Sequence, residues 1–135
     1  MQKILSILCL VLLSSCSQEP EVFTGPFVTR DGVKYDQNTN EPVNGIEKSF
    51  DENGQLRVRA NYIDGKQDGL FESFHENGQL SERLNYKDDE RDGLYESFDE
   101  NGQLEGRRSY KDDEIKYFDE NGNLIETYIN GVLVE

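Results

Sequence analysis

The sequence predicts an all-β fold, an elongated single-sheet antiparallel meander of repeated β-hairpins. Three observations carry that expectation. At a period of 24 residues Gly45, Gly69 and Gly93 fall into register, as do Ser49-Phe50, Ser73-Phe74 and Ser97-Phe98, and then Tyr62, Tyr86 and Tyr110. Each unit joins two short runs through Asp/His-Glu-Asn-Gly, and Asn-Gly between runs that bear apolar residues signals a hairpin, because both residues tolerate positive φ. The runs also alternate with a period of two. Leu56, Val58, Ala60 and Tyr62 point one way, and Arg57, Arg59 and Asn61 the other.

Residues 1–15 come first, as a signal peptide. One cation, Lys3, precedes the almost wholly apolar run Ile4–Leu13, followed by Ser14-Ser15-Cys16. That order makes a secretory signal, and the run is too short to span a bilayer permanently. Leu13-Ser14-Ser15-Cys16 resembles the bacterial lipobox, whose cysteine is lipid-modified and becomes the new N-terminus; an ordinary signal with a chance cysteine is the competing reading. The resemblance implies two or three acyl chains on Cys16, enough for stable anchoring. Cys9 would be discarded with the signal, leaving no free thiol for disulfides, thiol catalysis or zinc–cysteine sites. Ser17 stands where enteric-type bacteria place an Asp to retain a lipoprotein at the inner membrane, so the expected address is the cell envelope, with the outer membrane favoured if there is one. Residues 16–27 then read as the lipidated cysteine and a polar tether, with Pro20, Gly25 and Pro26 and no periodicity.

Residues 28–135 form the repeat domain. Asn53-Gly54-Gln55-Leu56, Asn77-Gly78-Gln79-Leu80 and Asn101-Gly102-Gln103-Leu104 align at the same period, and a fourth copy, Tyr117–Leu124, arrives after 20 residues instead of 24. The missing segment corresponds to Arg91–Leu94. In the first run of a unit Leu70 and Phe74, or Leu94 and Phe98, share a face with a glutamate between them. One apolar and one charged face suit a meander partly open to water, with its aromatics stacked in cross-strand ladders. The pattern Gly-x-x-x-Ser-Phe-Asp-Glu-Asn-Gly-Gln-Leu…Tyr-x-Asp-Gly-Lys-x-Asp-Gly resembles the bacterial variant of the MORN repeat, whose members often carry antitoxin-like labels and are frequently lipoproteins. Arg30–Tyr35 and Asn40–Gly45 resemble the start of such arrays. The resemblance implies scaffolds and binding surfaces, and no particular activity. One departure is the third linker, Lys111-Asp112-Asp113-Glu114, which lacks Asp-Gly; the last hairpin is expected to change angle or to act as the terminal cap.

The residues carry little chemistry. His75 replaces Asp51, Asp99 and Asp119 at a turn tip, and one histidine without a cysteine makes neither a nucleophile's base nor a metal cluster. Asp88–Asp99 approaches the spacing of an EF-hand loop, but it has Glu at position 3 and Asp at position 12, and no helices flank it, so it reads as a by-product of an acidic repeat. Neither a phosphate loop nor a nucleophile elbow occurs. The expectation is a chain that is not an enzyme, with no catalytic residues, cofactor or metal. Arg57, Arg59, Arg83, Arg107 and Arg108 are expected to pair with acids on neighbouring strands.

Fourteen basic against 28 acidic residues give a net charge of −14, which opposes nucleic-acid binding. The favoured function is a membrane-anchored, non-catalytic module that binds or scaffolds a protein partner. The alternative is an immunity or antitoxin-like protein whose acidity suits a basic toxin. Phe71 and Tyr95 are the candidate partner contacts. They stand at the opposite parity to Leu70/Phe74 and Leu94/Phe98, which places them on the otherwise polar face, and the first copy has Glu47 there.

Overall fold

The computed structural model describes residues 20–134; the signal peptide expected at residues 1–15 and the lipidation expected at Cys16 lie outside the described residues. All twelve elements found among them are strands: β1 Val22–Phe23, β2 Phe27–Arg30, β3 Val33–Asp36, β4 Gly45–Phe50, β5 Leu56–Ile63, β6 Lys66–Phe74, β7 Leu80–Lys87, β8 Glu90–Phe98, β9 Leu104–Lys111, β10 Glu114–Phe118, β11 Leu124–Ile129 and β12 Val132–Leu133. Strands β4 to β12 run in chain order through one antiparallel sheet, and β1 joins its first edge parallel to β4. The meander is therefore as the repeat predicts.

Two kinds of turn alternate along it. Five-residue loops such as 51–55 and 75–79 line one edge of the sheet, and two-residue loops such as Asp64-Gly65 and Asp88-Asp89 line the other. In the first kind only glycine takes positive φ: the Gly54 amide donates to the Asp51 carbonyl at 2.9 Å, and Asp51 Oδ1 accepts from the amides of Asn53 and Gln55 at 2.9 and 3.0 Å. The asparagine of Asn-Gly thus keeps ordinary φ, contrary to the expectation. In Asp88-Asp89 and Asp64-Gly65 the second kind does place both residues at positive φ, Asp64 at 50° and Gly65 at 76°, whereas in Asp112-Asp113 Asp112 alone takes it. Positive φ at both residues matches the twist of the flanking strands.

His75 cannot supply the aspartate's two acceptor bonds. In its copy Asn77 Oδ1 accepts from the Gln79 amide at 2.9 Å, and His75 Nε2 lies 2.8 Å from the Phe98 carbonyl oxygen. Gly78 has φ of 84°, and a Cβ there would come 2.9 Å from Gln55 Nε2 of the adjacent loop. Gly78→Val is expected to lower stability by about 1–3 kcal/mol through backbone strain, read as a drop in melting midpoint. An unchanged melt would refute the register.

Each five-residue loop is followed by a one-residue bulge. Ser73 faces Glu82 and Phe74 faces Leu80, which leaves Ser81 unmatched. The first strand of the second and third units carries a larger one. Leu84 pairs with Tyr95 but Asn85 with Asp92, so Gly93 and Leu94 are extra to β7. Strand β10 lacks this second bulge and pairs residue for residue with β9. The four-residue shortening therefore regularises a hairpin, and the meander continues through β11 and β12.

The cap predicted for the C-terminal end is found at the other one. Strands β2 and β3 form their own two-stranded sheet. It docks on the first two-residue loop through three backbone bonds: Lys34 amide to Gly65 carbonyl, Gly65 amide to Val43 carbonyl, and Val43 amide to Lys34 carbonyl, at 2.8, 2.9 and 3.0 Å. Beneath it lies the core of Val43, Ala60 and Tyr62, with Phe23, Phe27, Val58 and Phe71 packed around them. Phe23 and Phe27 fall within residues 16–27, read from the sequence as tether, so the fold begins earlier than residue 28.

Candidate protein-binding face

Cross-strand pairing decides which side chains share a face, because residues directly opposite in a ladder project to the same side. One rung runs Glu47, Ala60, Phe71, Leu84, Tyr95, Arg108, Tyr117, Glu126 across β4 to β11. Two residues further along β5, β7, β9 and β11, Tyr62, Tyr86, Tyr110 and Tyr128 lie on the same side. Phe71 and Tyr95 therefore belong to the aromatic face and not to the polar one. The physical cause is the one-residue bulge after each five-residue loop. It shifts parity, so alternation along β7 cannot be carried across the loop into β6.

On that face Leu84 is 3% exposed because Phe71 and Tyr95 flank it on both sides. Phe71 also meets Tyr86 edge to face at 6.1 Å. Such a pair adds roughly 0.5–1.5 kcal/mol beyond the area it buries. Phe71 is thus a packing residue first. Tyr95, half-buried like Phe71, carries polar contacts: its hydroxyl donates to Glu82 Oε1 at 3.0 Å, and the Arg108 guanidinium lies 5.3 Å from its ring centroid. Burial, followed by the Glu82 carboxylate, raises the Tyr95 hydroxyl above the ordinary tyrosine range.

The opposite face is a ladder of charge. Lys48, Arg59, Glu72, Arg83, Glu96 and Arg107 stand opposite one another across β4 to β9. Arg59 pairs with Glu72; Arg83 and Arg107 both bind Glu96, at 2.7 and 2.9 Å. Glu72 and Glu96 are 8% and 6% exposed, and Arg83 foremost, with Arg107, holds the Glu96 carboxyl below its usual range. Pairing with neighbouring acids thus holds for Arg59, Arg83 and Arg107. It does not hold for Arg108, which lies on the aromatic face, or for Arg57, whose Nη1 is buried without a partner. Leu70, Leu94 and Phe74 share this charged side, and Leu94 is 43% exposed.

The EF-hand-like stretch is strand. Asp88 and Asp89 form a two-residue turn, and residues 90–98 are the extended β8, so Glu90, Asp92 and Glu96 are strung along one face of a strand instead of wrapping round an ion. Among the described residues no His, Cys, Asp and Glu converge as a metal centre.

The family model described as the MORN repeat variant matches three consecutive segments, residues 43–64, 67–88 and 91–112. These are β4 to β9 with the loop that follows them. No protein of curated function matches in sequence. Among solved structures, "Crystal structure of GtfA/B complex bound to UDP and GlcNAc" is similar at 12% identity and a TM-score of 0.31. The match covers 84% of this chain but 21% of that one, and a likeness so slight carries no argument about function.

Proposed function

We propose that this chain, which carries three consecutive MORN repeat variants, is a non-catalytic binding module that offers its aromatic sheet face to a protein partner. The observation that carries the reading is the exposure of that face beyond the cap, where Tyr86, Tyr95, Tyr110 and Tyr117 remain part-open to solvent over a single-layered sheet. Tyrosine and arginine anchors within a polar surround are the residues that recognition surfaces use. Tyr95 is the better of the two candidate contacts, and Phe71 serves chiefly to hold the face together. The lipobox-like Leu13–Cys16 supports anchoring in the cell envelope, through which the module would meet its partner at a membrane surface. A neutralising, antitoxin-like role draws on the −14 charge, which suits a basic toxin.

Two measurements test this. In the first, Phe71→Ser and Tyr95→Ser are made separately and used to capture partners from the native envelope after their melts are recorded. Phe71→Ser is expected to lose about 2–4 kcal/mol of stability, as large-to-small changes at packed positions do. Tyr95→Ser is expected to stay folded and lose capture; a folded Tyr95→Ser that keeps its partner removes Tyr95 from the interface. In the second, Cys16→Ser is expected to leave the membrane fraction and lose its acyl mass, and an unmodified mature N-terminus elsewhere would exclude the anchor.

A further inference from the structure

Two features of the third unit break the repeat at one spot. At the rung position that holds Ala60 and Leu84, 1% and 3% exposed, the third unit has Arg108. A small or aliphatic side chain satisfies the fold at that position, so packing does not call for a guanidinium. Next to it, the four-residue shortening of the following hairpin draws β10 into a register that sets Tyr117 directly opposite Arg108. Sequence alignment instead places Tyr117 beside Ser73 and Ser97. The guanidinium ends up between two rings, 5.3 Å from the centroid of Tyr95 and 5.1 Å from that of Tyr117.

A second guanidinium stands close by. Arg91 occupies the position of Gln67 in the preceding unit, lies 5.5 Å from the Tyr110 ring centroid and donates to its hydroxyl at 3.3 Å. Between Arg91 and Tyr95 the strand carries Gly93, where a Cβ would meet nothing within 4 Å. The notch is open. On the charged face Arg59, Arg83 and Arg107 each have a carboxylate partner. Among the described residues, neither Arg91 nor Arg108 lies within ion-pair distance of one.

We propose that this notch is an acceptor for a single carboxylate on a protein partner, with Arg108 as the anchor between Tyr95 and Tyr117 and Arg91 beside it. The proposal rests on the binding-module reading and names the chemistry its partner presents. A guanidinium framed by aromatic rings keeps its charge in a partly dry setting, where a hydrogen bond to a carboxylate is strongest. Lys87, Asp88, Glu90, Asp92 and Asp112 share a depression with Arg91, so acids outnumber cations at the loop edge of the sheet nearest Arg91. That acidic rim repels a nucleic acid or an anionic membrane and admits one acid carried on a neutral or basic segment.

The test uses the full-length protein in neutral detergent micelles, with acetyl-Gly-Glu-Gly-amide and its Gln counterpart as probes. The expected result is a saturable shift of the Arg108 side-chain NMR resonance and of the Tyr95 and Tyr117 ring signals with the Glu peptide, at millimolar concentration and about ten-fold tighter than with the Gln peptide. Arg108→Leu is expected to abolish it while melting no lower than the wild type, because Leu is what the preceding unit buries there; Arg108→Gln serves as a second variant that keeps a polar group. Equal responses to the two peptides, a response that survives in both variants, or no saturable shift would overturn the proposal. Tighter Arg108-dependent binding to phosphatidylglycerol vesicles would also overturn it, by assigning the site to lipid. If envelope capture fails for the wild type while the peptide titration succeeds, the binding-module reading falls and the acceptor stands. If Arg108→Leu captures the partner undiminished, the reading stands and the acceptor falls.

Discussion

Gly65→Val is expected to detach the N-terminal cap and cost about 3 kcal/mol or more of stability. Two effects combine there. Gly65 sits at φ of 76°, where a β-branched residue is strained by about 1–3 kcal/mol. A Cβ would also stand 2.5 Å from the Lys34 carbonyl oxygen and from Val33 Cγ1, so the β2–β3 sheet would have to move away. Moving it breaks the backbone bonds among Lys34, Val43 and Gly65 and opens the core over Tyr62. Gly54→Val is the matched control: its φ is 80°, and a Cβ there meets nothing within 4 Å, so it carries the backbone strain alone. The two melts, recorded side by side, check the argument. Equal losses would mean that the cap does not press on the first turn.

Glu96→Gln is expected to cost about 2 kcal/mol and to flatten the acid limb of the stability curve. Glu96 is buried and shared by Arg83 and Arg107, so Gln there leaves two guanidiniums without their counter-charge and turns one of their two accepting oxygens into an NH2 donor. Breaking a fully buried pair costs roughly 3–5 kcal/mol. The side chains of Arg83 and Arg107 are 47% and 33% exposed, so water recovers part of that loss. The carboxyl is held below its ordinary value in the folded chain, chiefly by Arg83. Its contribution is therefore present above the unfolded carboxyl pKa near 4.5 and fades as the pH falls through the lower folded value. Asp99 and Asp119 are lowered too, the first mainly by the Gln103 amide and the second mainly by the Asn123 side chain, so some acid sensitivity persists in the variant. Denaturation midpoints at neutral pH and near pH 3 measure the difference; identical slopes in wild type and variant would contradict it.

The repeat made the architecture legible. A 24-residue period, Asn-Gly turns and alternation in the second run suffice for the strand order, since each depends on residues adjacent in the chain. The faces were harder to read. The unmatched Ser81 and its counterparts shift parity at every five-residue loop, and nothing in Gln79-Leu80-Ser81 distinguishes a bulged entry from a flush one. Alternation carried across that loop puts Phe71 and Tyr95 on the wrong side. Arg108 needs no bulge to be placed: it has the parity of Leu104 and Tyr110 along β9, and its departure from Ala60 and Leu84 shows at a fixed offset of 24. The cap escaped because it depends on contacts between segments some thirty residues apart, such as Lys34 with Gly65, which no local period encodes. Phe23, Phe27 and Val43, apolar residues in polar stretches, were the available signal.

Among the described residues the cap stands at one end of the array, which gives the array a direction. The buried cluster beneath β2 and β3 ties β1, β5 and β6 into a unit with contacts on several sides, whereas each later hairpin leans on its predecessor and offers Leu124, Ile125, Ile129, Val132 and Leu133 to water at the far end. In a linear chain of coupled units, cohesion is highest where a unit has neighbours on both sides and a lid above. The molecule is therefore a zipper with one closed end: order starts at the lid and runs outward, and thermal fraying starts at β12 and runs back. The Arg108 notch lies beyond the midpoint of that gradient. Its three strands, β8 to β10, lie between the held end and the fraying one.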